Sequence, residues 1–292
     1  MPSPEHEQIV NMLLANASAE TLPIAQQRLN MEAVAEMFPL PDDVEIEAID
    51  CDGVVADWIS LADSDPARVV MYLHGGAYTK GSRNTHRELA SRIARASRAR
   101  VLVPEYRLAP EHPCPAGIED AMTCWRWLIA QGHSVDQLTI AGDSAGAGLA
   151  LALMQSAKSQ GLPMPARAAL IAPWVDLELV GASAKPGAVD DPMLQRDRLL
   201  VDAHHYAGED LRRWQASPLH GDLDDLPPML IQVGGRDLLL SDSTRLAERA
   251  QTAGNDVTLE VEDGLVHVWH FFPMLPESHS AIARLGTFLS GG

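Results

Sequence analysis

The rhythm of hydrophobic positions in this chain changes near residue 68. Before it, Ile9, Met12 and Leu13, then Val34, Met37 and Phe38, recur at partial helical spacing. That spacing predicts two helices within residues 5–37, broken near Pro23. Pro39-Leu40-Pro41 closes the segment. Residues 44–49 and 53–59 alternate apolar with polar, the pattern of two antiparallel strands turned at Asp50-Cys51-Asp52-Gly53. From Arg68 onward, short continuous apolar runs take over, as expected of strands buried on both faces. They predict strands at 68–73, 100–104, from Leu138, and at 168–172, 229–233 and 257–261. Helical stretches lie between them, at 85–97, 117–130, after Ser144 to about Ser159, 197–206, 241–253 and 277–289. The Gly-, Pro-, Ala- and Asp-rich residues 181–191 read as an irregular surface segment. Strict alternation of strand and helix implies right-handed crossovers, so the fold class is α/β: a mostly parallel central sheet with helices on both faces.

Composition narrows this picture without redirecting it. A chain of 292 residues with 46% apolar content supports one α/β domain with an added cap, and no repeat or linker divides it. The formal charge of −18 opposes nucleic acid and anionic membranes as partners. Cys51, Cys114 and Cys124 are an odd number without metal spacing, so neither a disulfide framework nor a zinc site is implied. Glu5, His6 and Glu7 stand where a secretory leader would be basic and then apolar, and no run approaches the roughly 18 apolar residues of a membrane span. These features predict a soluble, cytoplasmic protein.

Candidate chemistry centres on Gly142-Asp143-Ser144-Ala145-Gly146, which follows a predicted strand and opens a predicted helix. In that context the glycines permit a turn tight enough to expose the serine hydroxyl, and the next N–H faces a developing negative charge. The segment lacks the lysine of a phosphate loop and the spacing of a dinucleotide fingerprint. A serine hydroxyl needs a base, and the base needs an orienting acid. Both must come from loops at the same carboxyl edge of the sheet. Asp237, in Gly234-Gly235-Arg236-Asp237, and His267, in Gly264-Leu265-Val266-His267, follow two of the predicted strands and occur in the order Ser, Asp, His. Each has a rival reading. Asp237 could simply cap the following helix, with Asp242 as the competing acid; His267 could be a core histidine, with His270 as the competing base. His204 and His205 sit on a predicted helix away from any strand end and read as structural. His74-Gly75-Gly76-Ala77 supplies a glycine loop at another strand end, so the N–H groups of Gly75, Gly76 and Ala145 are the expected oxyanion donors. His74 reads as a brace for that loop rather than a metal ligand. Trp174, Tyr206 and Trp214 read as core packing more readily than as pocket lining.

With these residues in view, the chain resembles the hormone-sensitive-lipase-like branch of the α/β-hydrolases, the bacterial family IV carboxylesterases. His74-Gly75-Gly76-Ala77-Tyr78, Tyr106-Arg107-Leu108-Ala109-Pro110-Glu111-His112-Pro113, Gly142-Asp143-Ser144-Ala145-Gly146 and the Asp237 and His267 loops carry the resemblance from about residue 70 to 270. The second stretch is the most diagnostic, because the general fold does not demand it. The resemblance implies an α/β-hydrolase fold with a helical cap at residues 1–41 and a catalytic domain at 42–292 carrying a cap-contributing insertion around 180–215. It implies a serine carboxylesterase for short- to medium-chain esters, with Ser144, Asp237 and His267 as the triad and no metal or cofactor. A homodimer is also expected from it. Lactone or amide and formamide hydrolysis are the alternatives within the same chemistry, and a non-catalytic small-molecule receptor is the alternative outside it. Five positions depart from the family pattern. Ala77 replaces a third glycine, Cys114 an aromatic residue, Leu238 a proline, and Val268-Trp269 the usual Gly-Phe. The His267-Val268-Trp269 form also resembles esterases related to monoterpene lactone hydrolases.

Overall fold

The computed structural model describes residues 2–15 and 22–291. The part of the predicted N-terminal helices at 16–21 therefore lies outside the described residues. Among the described residues eight strands form one sheet: β1 (Val44–Cys51), β2 (Val54–Leu61), β3 (Asp65–Leu73), β4 (Ala99–Pro104), β5 (Leu138–Asp143), β6 (Ala168–Ile171), β7 (Met229–Gly234) and β8 (Val257–Glu262). Their spatial order is β1-β2-β4-β3-β5-β6-β7-β8. β1 pairs antiparallel with β2, and β2 with β4; every other pair is parallel. The alternating segment thus forms the antiparallel margin and the continuous apolar runs form the parallel remainder. β3 begins at Asp65, three residues before its apolar run, across a shift of register between Asp65 and Val69.

Eight α-helices accompany the sheet among the described residues: α1 (Pro4–Ala15), α2 (Ile24–Ala35), α3 (Arg87–Ser97), α4 (Ala116–Ala130), α5 (Ala145–Ser159), α6 (Arg196–Ala207), α7 (Leu240–Thr252) and α8 (Pro276–Ser290). Leu89 and Ile93 of α3 pack with Ile282 and Leu285 of α8 against one face of the sheet. Trp125 and Leu128 of α4, Leu149 and Leu153 of α5 and Leu246 of α7 cover the other. Fully burying one side chain of this size stabilises by ~1.5–3 kcal/mol, so these two layers hold the sheet between them.

The two N-terminal helices differ sharply. α1 buries Ile9 and Val10 against Leu265, Val266 and Trp269, while Met12 and Leu14 stay exposed. α2 starts directly after Pro23, where the sequence placed the break, and buries no side chain at all. Among the described residues no helix is long and apolar enough to cross a membrane.

Candidate active site

β5 ends at Asp143 and α5 begins at Ala145, leaving Ser144 alone on the turn between them. Its backbone has φ 51° and ψ −120°, a conformation that L residues adopt only under constraint. The constraint is crowding. A Cβ on Gly146 would collide with the Leu73 carbonyl oxygen, and one on Gly142 would lie 2.7 Å from both that oxygen and the Gly146 backbone. The Ser144 N–H donates to the Ile171 carbonyl at 2.8 Å, and its own carbonyl accepts from Trp174 N–H at 3.0 Å. The turn is therefore fixed from the ends of both neighbouring strands, β3 and β6.

His267 follows β8, and its Nδ1 lies 2.8 Å from Asp237 Oδ2. Asp237 is fully buried, and its second oxygen accepts the Leu239 N–H at 2.8 Å. Burial alone would depress the His267 pKa, but the charge and hydrogen bond of Asp237 outweigh it and raise it above 6.5. The rivals lie elsewhere. Asp242 Oδ2 accepts the N–H groups of Val175 and Asp176 at 3.1 and 2.9 Å. Burial, reinforced by the Asp176 charge, pushes the Asp242 carboxyl up to about 8. His270 is buried with Nε2 2.9 Å from Gln232 Oε1; burial and the nearby Arg92 lower its pKa to about 3. His204 Nδ1 is 2.9 Å from the Gly208 carbonyl at the end of α6.

The glycine loop after β3 is braced from below. The His74 ring stacks on Tyr106 at 4.1 Å, and the Tyr106 hydroxyl donates to the His74 carbonyl at 2.6 Å. Burial, with His86 close by, lowers the His74 pKa to about 3, so this ring is neutral. Asp143 is buried as well; burial opposes its charge, but His86 and the Tyr72 hydroxyl hold its pKa below the ordinary value.

One expectation requires correction. The Gly75 N–H donates to Asp143 Oδ1 at 3.0 Å, and a Cβ at Gly75 would collide with that carboxylate. That N–H is therefore already engaged by the Asp143 carboxylate. Gly76 and Ala77 line the cavity beside Ser144 instead, and neither N–H has an acceptor among the described residues. The Ala145 N–H, at the first position of α5, likewise has no partner within its helix.

Ser144 and His267 face the same cavity of about 280 Å³. Its other walls include residues to which the sequence assigned no chemistry: Gln27 and Met31 of α2, Met193 and Leu194 before α6, Leu199 on α6 and Phe271, with Lys80, Arg198 and Asp202 as charged members. Trp174 is fully buried, Tyr206 stacks on Tyr78 at 3.8 Å, and none of Trp174, Tyr206 and Trp214 lines this cavity. Asp191 was also missed. Its Oδ2 accepts the Leu238 N–H at 2.8 Å while Oδ1 accepts those of Met193 and Leu194, tying the cavity wall to the Asp237 loop. Asp176, Glu178 and His220 could together approach a cation, but none lines the cavity, and Arg245 already pairs with Asp176 at 2.6 Å.

Comparison with known proteins agrees with this geometry. A model of the α/β-hydrolase fold matches residues 70–271. An acetyl-hydrolase of Streptomyces hygroscopicus is 41% identical over 296 residues, covering 99% of this chain and 97% of that protein. An esterase of Acinetobacter venetianus is 35% identical, across 88% of this chain and 86% of its own length. Among solved structures, an esterase from the bacterial hormone-sensitive lipase family is similar with a TM-score of 0.96 at 41% identity, covering 100% of this chain and 99% of that one. An esterase/lipase from an uncultured bacterium gives a TM-score of 0.95 at 42% identity, covering 99% and 98%.

Proposed function

This chain belongs to the α/β-hydrolase fold family, among the bacterial hormone-sensitive-lipase-like esterases, and we propose that it is a serine carboxylesterase working through Ser144, His267 and Asp237. The Ser144 hydroxyl attacks the ester carbonyl while His267 takes its proton at Nε2. Asp237 holds the imidazole with Nδ1 protonated and stabilises the imidazolium that forms. Negative charge developing on the carbonyl oxygen is met by the N–H groups of Gly76, Ala77 and Ala145, each donor worth ~2.7–4 kcal/mol of barrier. Ala77 replaces Gly75 in this role. The alcohol departs with the proton from His267, and water, activated by the same base, hydrolyses the acyl-enzyme.

The observation that carries this reading is the 2.8 Å contact between His267 Nδ1 and Asp237 Oδ2, with His267 and Ser144 lining one cavity. A volume of about 280 Å³ lies at the small end of ligand sites and favours esters of short to medium chain. The roof formed by α2 and by residues within 180–215 acts as the cap. Hydrolysis of p-nitrophenyl acetate, butyrate, octanoate and palmitate by wild type and Ser144→Ala tests both parts. The variant is expected to lose activity on the order of 10⁶-fold, and the wild-type profile is expected to fall before palmitate. A variant that retained substantial activity would remove Ser144 as nucleophile.

A further inference from the structure

A second cavity, of about 170 Å³, lies beside the first. Ala35, Phe38, Leu40, Leu89 and Phe271 supply its apolar lining. Phe271 also lines the Ser144 cavity, so one side chain belongs to the walls of both spaces. The roof is shared too. Gln27 and Met31 cover the first cavity and Ala35 the second; their spacing of four residues sets all three on one stripe of α2. Two of the charged groups at the second cavity are already paired, Glu88 with Arg92 and Arg87 with Asp57, each at 2.7 Å, and the third, Glu36, is exposed. Phe271 itself is well fixed. Its ring meets the buried His86 edge-on at 4.8 Å, and its N–H donates to the Val268 carbonyl at 3.1 Å.

We propose that Phe271 is a specificity-determining partition: it ends the space open to one hydrocarbon arm of the ester, and the cavity behind it is an annex able to take a longer chain. The inference rests on the ester-hydrolase reading of the Ser144 cavity. Removing the ring joins the two spaces beneath α2, and each methylene then buried favours the longer substrate by about fourfold.

The test measures kcat/KM for p-nitrophenyl alkanoates, which lengthen the acyl arm, and for alkyl butyrates, which lengthen the alcohol arm. Wild type, Phe271→Ala and the milder Phe271→Leu are compared, with circular dichroism to check folding. In one of the two series the long-to-short ratio is expected to rise at least tenfold in Phe271→Ala and by less in Phe271→Leu. Adding Ala35→Trp to Phe271→Ala refills the annex and should return the ratio toward wild type. Folded variants with unchanged ratios in both series would overturn the partition while leaving the esterase reading intact. If Phe271→Ala does not fold, an unchanged ratio in folded Phe271→Leu decides against it. Wild type inactive on every ester would sink the underlying reading instead.

Discussion

Asp237 shows how two rival readings of one side chain can describe different atoms of it. Orienting a histidine and bonding the backbone ahead of a helix looked like alternatives, yet Oδ2 faces His267 and Oδ1 the Leu239 N–H. The pH dependence tests the first of these roles. Catalysis by His267 needs the neutral imidazole, so kcat/KM should fall as pH drops through its pKa, which the Asp237 charge raises. Asp237→Asn removes that charge; the acidic limb should move to lower pH and the rate fall on the order of 10⁴-fold. A pH profile of p-nitrophenyl butyrate hydrolysis checks this, and a limb that stayed in place would argue against the pairing. The residue types of the site were legible because strand-end motifs announce them. The direction of the Gly75 N–H was not, because a carboxylate 68 positions away in the sequence sets it.

At the scale of elements, α2 is held by polar bonds where its neighbours are held by apolar burial. Arg28 donates from Nε to the Thr79 carbonyl at 2.8 Å and from Nη2 to the Ala109 carbonyl at 2.9 Å, and it pairs with Glu111 at 2.7 Å. Four residues on, Glu32 accepts from the Ser82 hydroxyl and the Asn84 amide at 2.6 and 2.7 Å. The Thr79 hydroxyl meanwhile donates to Asp202 of α6 at 2.8 Å, so both roofing helices grip one loop residue. The exposed ion pair alone contributes little, whereas hydrogen bonds from a charged group are worth ~1.5–3 kcal/mol each. Arg28→Ala is expected to raise KM for p-nitrophenyl butyrate on the order of tenfold. The melting midpoint should move by no more than roughly 2 °C, since α2 lends no side chain to the core and the lost bonds undock it locally without unfolding the sheet. A large fall in that midpoint with KM unmoved would make the clasp a support for the fold. Periodicity had located the helix, but it carries no sign of contacts made by two single side chains. It also explains why the Tyr106–Pro113 stretch is so distinctive: Tyr106 braces the glycine loop while Ala109 and Glu111 hold Arg28.

For the molecule as a whole, the parallel sheet gathers the loop after β3 with residues 144, 237 and 267 at one edge, and strand–helix alternation is why the sequence reading put these segments together, though it named Gly75 where Ala77 lines the cavity. The crossing of β3 and β4, and the pairing of β2 with β4, were not visible, because buried strands carry apolar runs without a label for their partner. Global stability has its own titrating group. Asp242 has a folded pKa of about 8, above the ordinary carboxylate value of 3.8. A carboxyl raised in this way favours the folded state fully below its unfolded pKa, and that contribution is lost as pH rises from about 4 to 8. Asp242→Asn keeps an oxygen for the Val175 and Asp176 N–H groups, so it should hydrolyse esters like wild type and gain in melting temperature over wild type as pH rises. Calorimetry at pH 5 and pH 9 reads this; an advantage that did not grow with pH would show Asp242 uncharged or relieved by Arg245. The roof helix has a different kind of consequence. Core positions are closed to most substitutions because each costs a sizeable part of a small stability margin, but α2 lends no side chain to the core. Descendants of this chain can therefore drift along Gln27, Met31 and Ala35, trying new substrates, while the folded scaffold beneath is inherited unchanged.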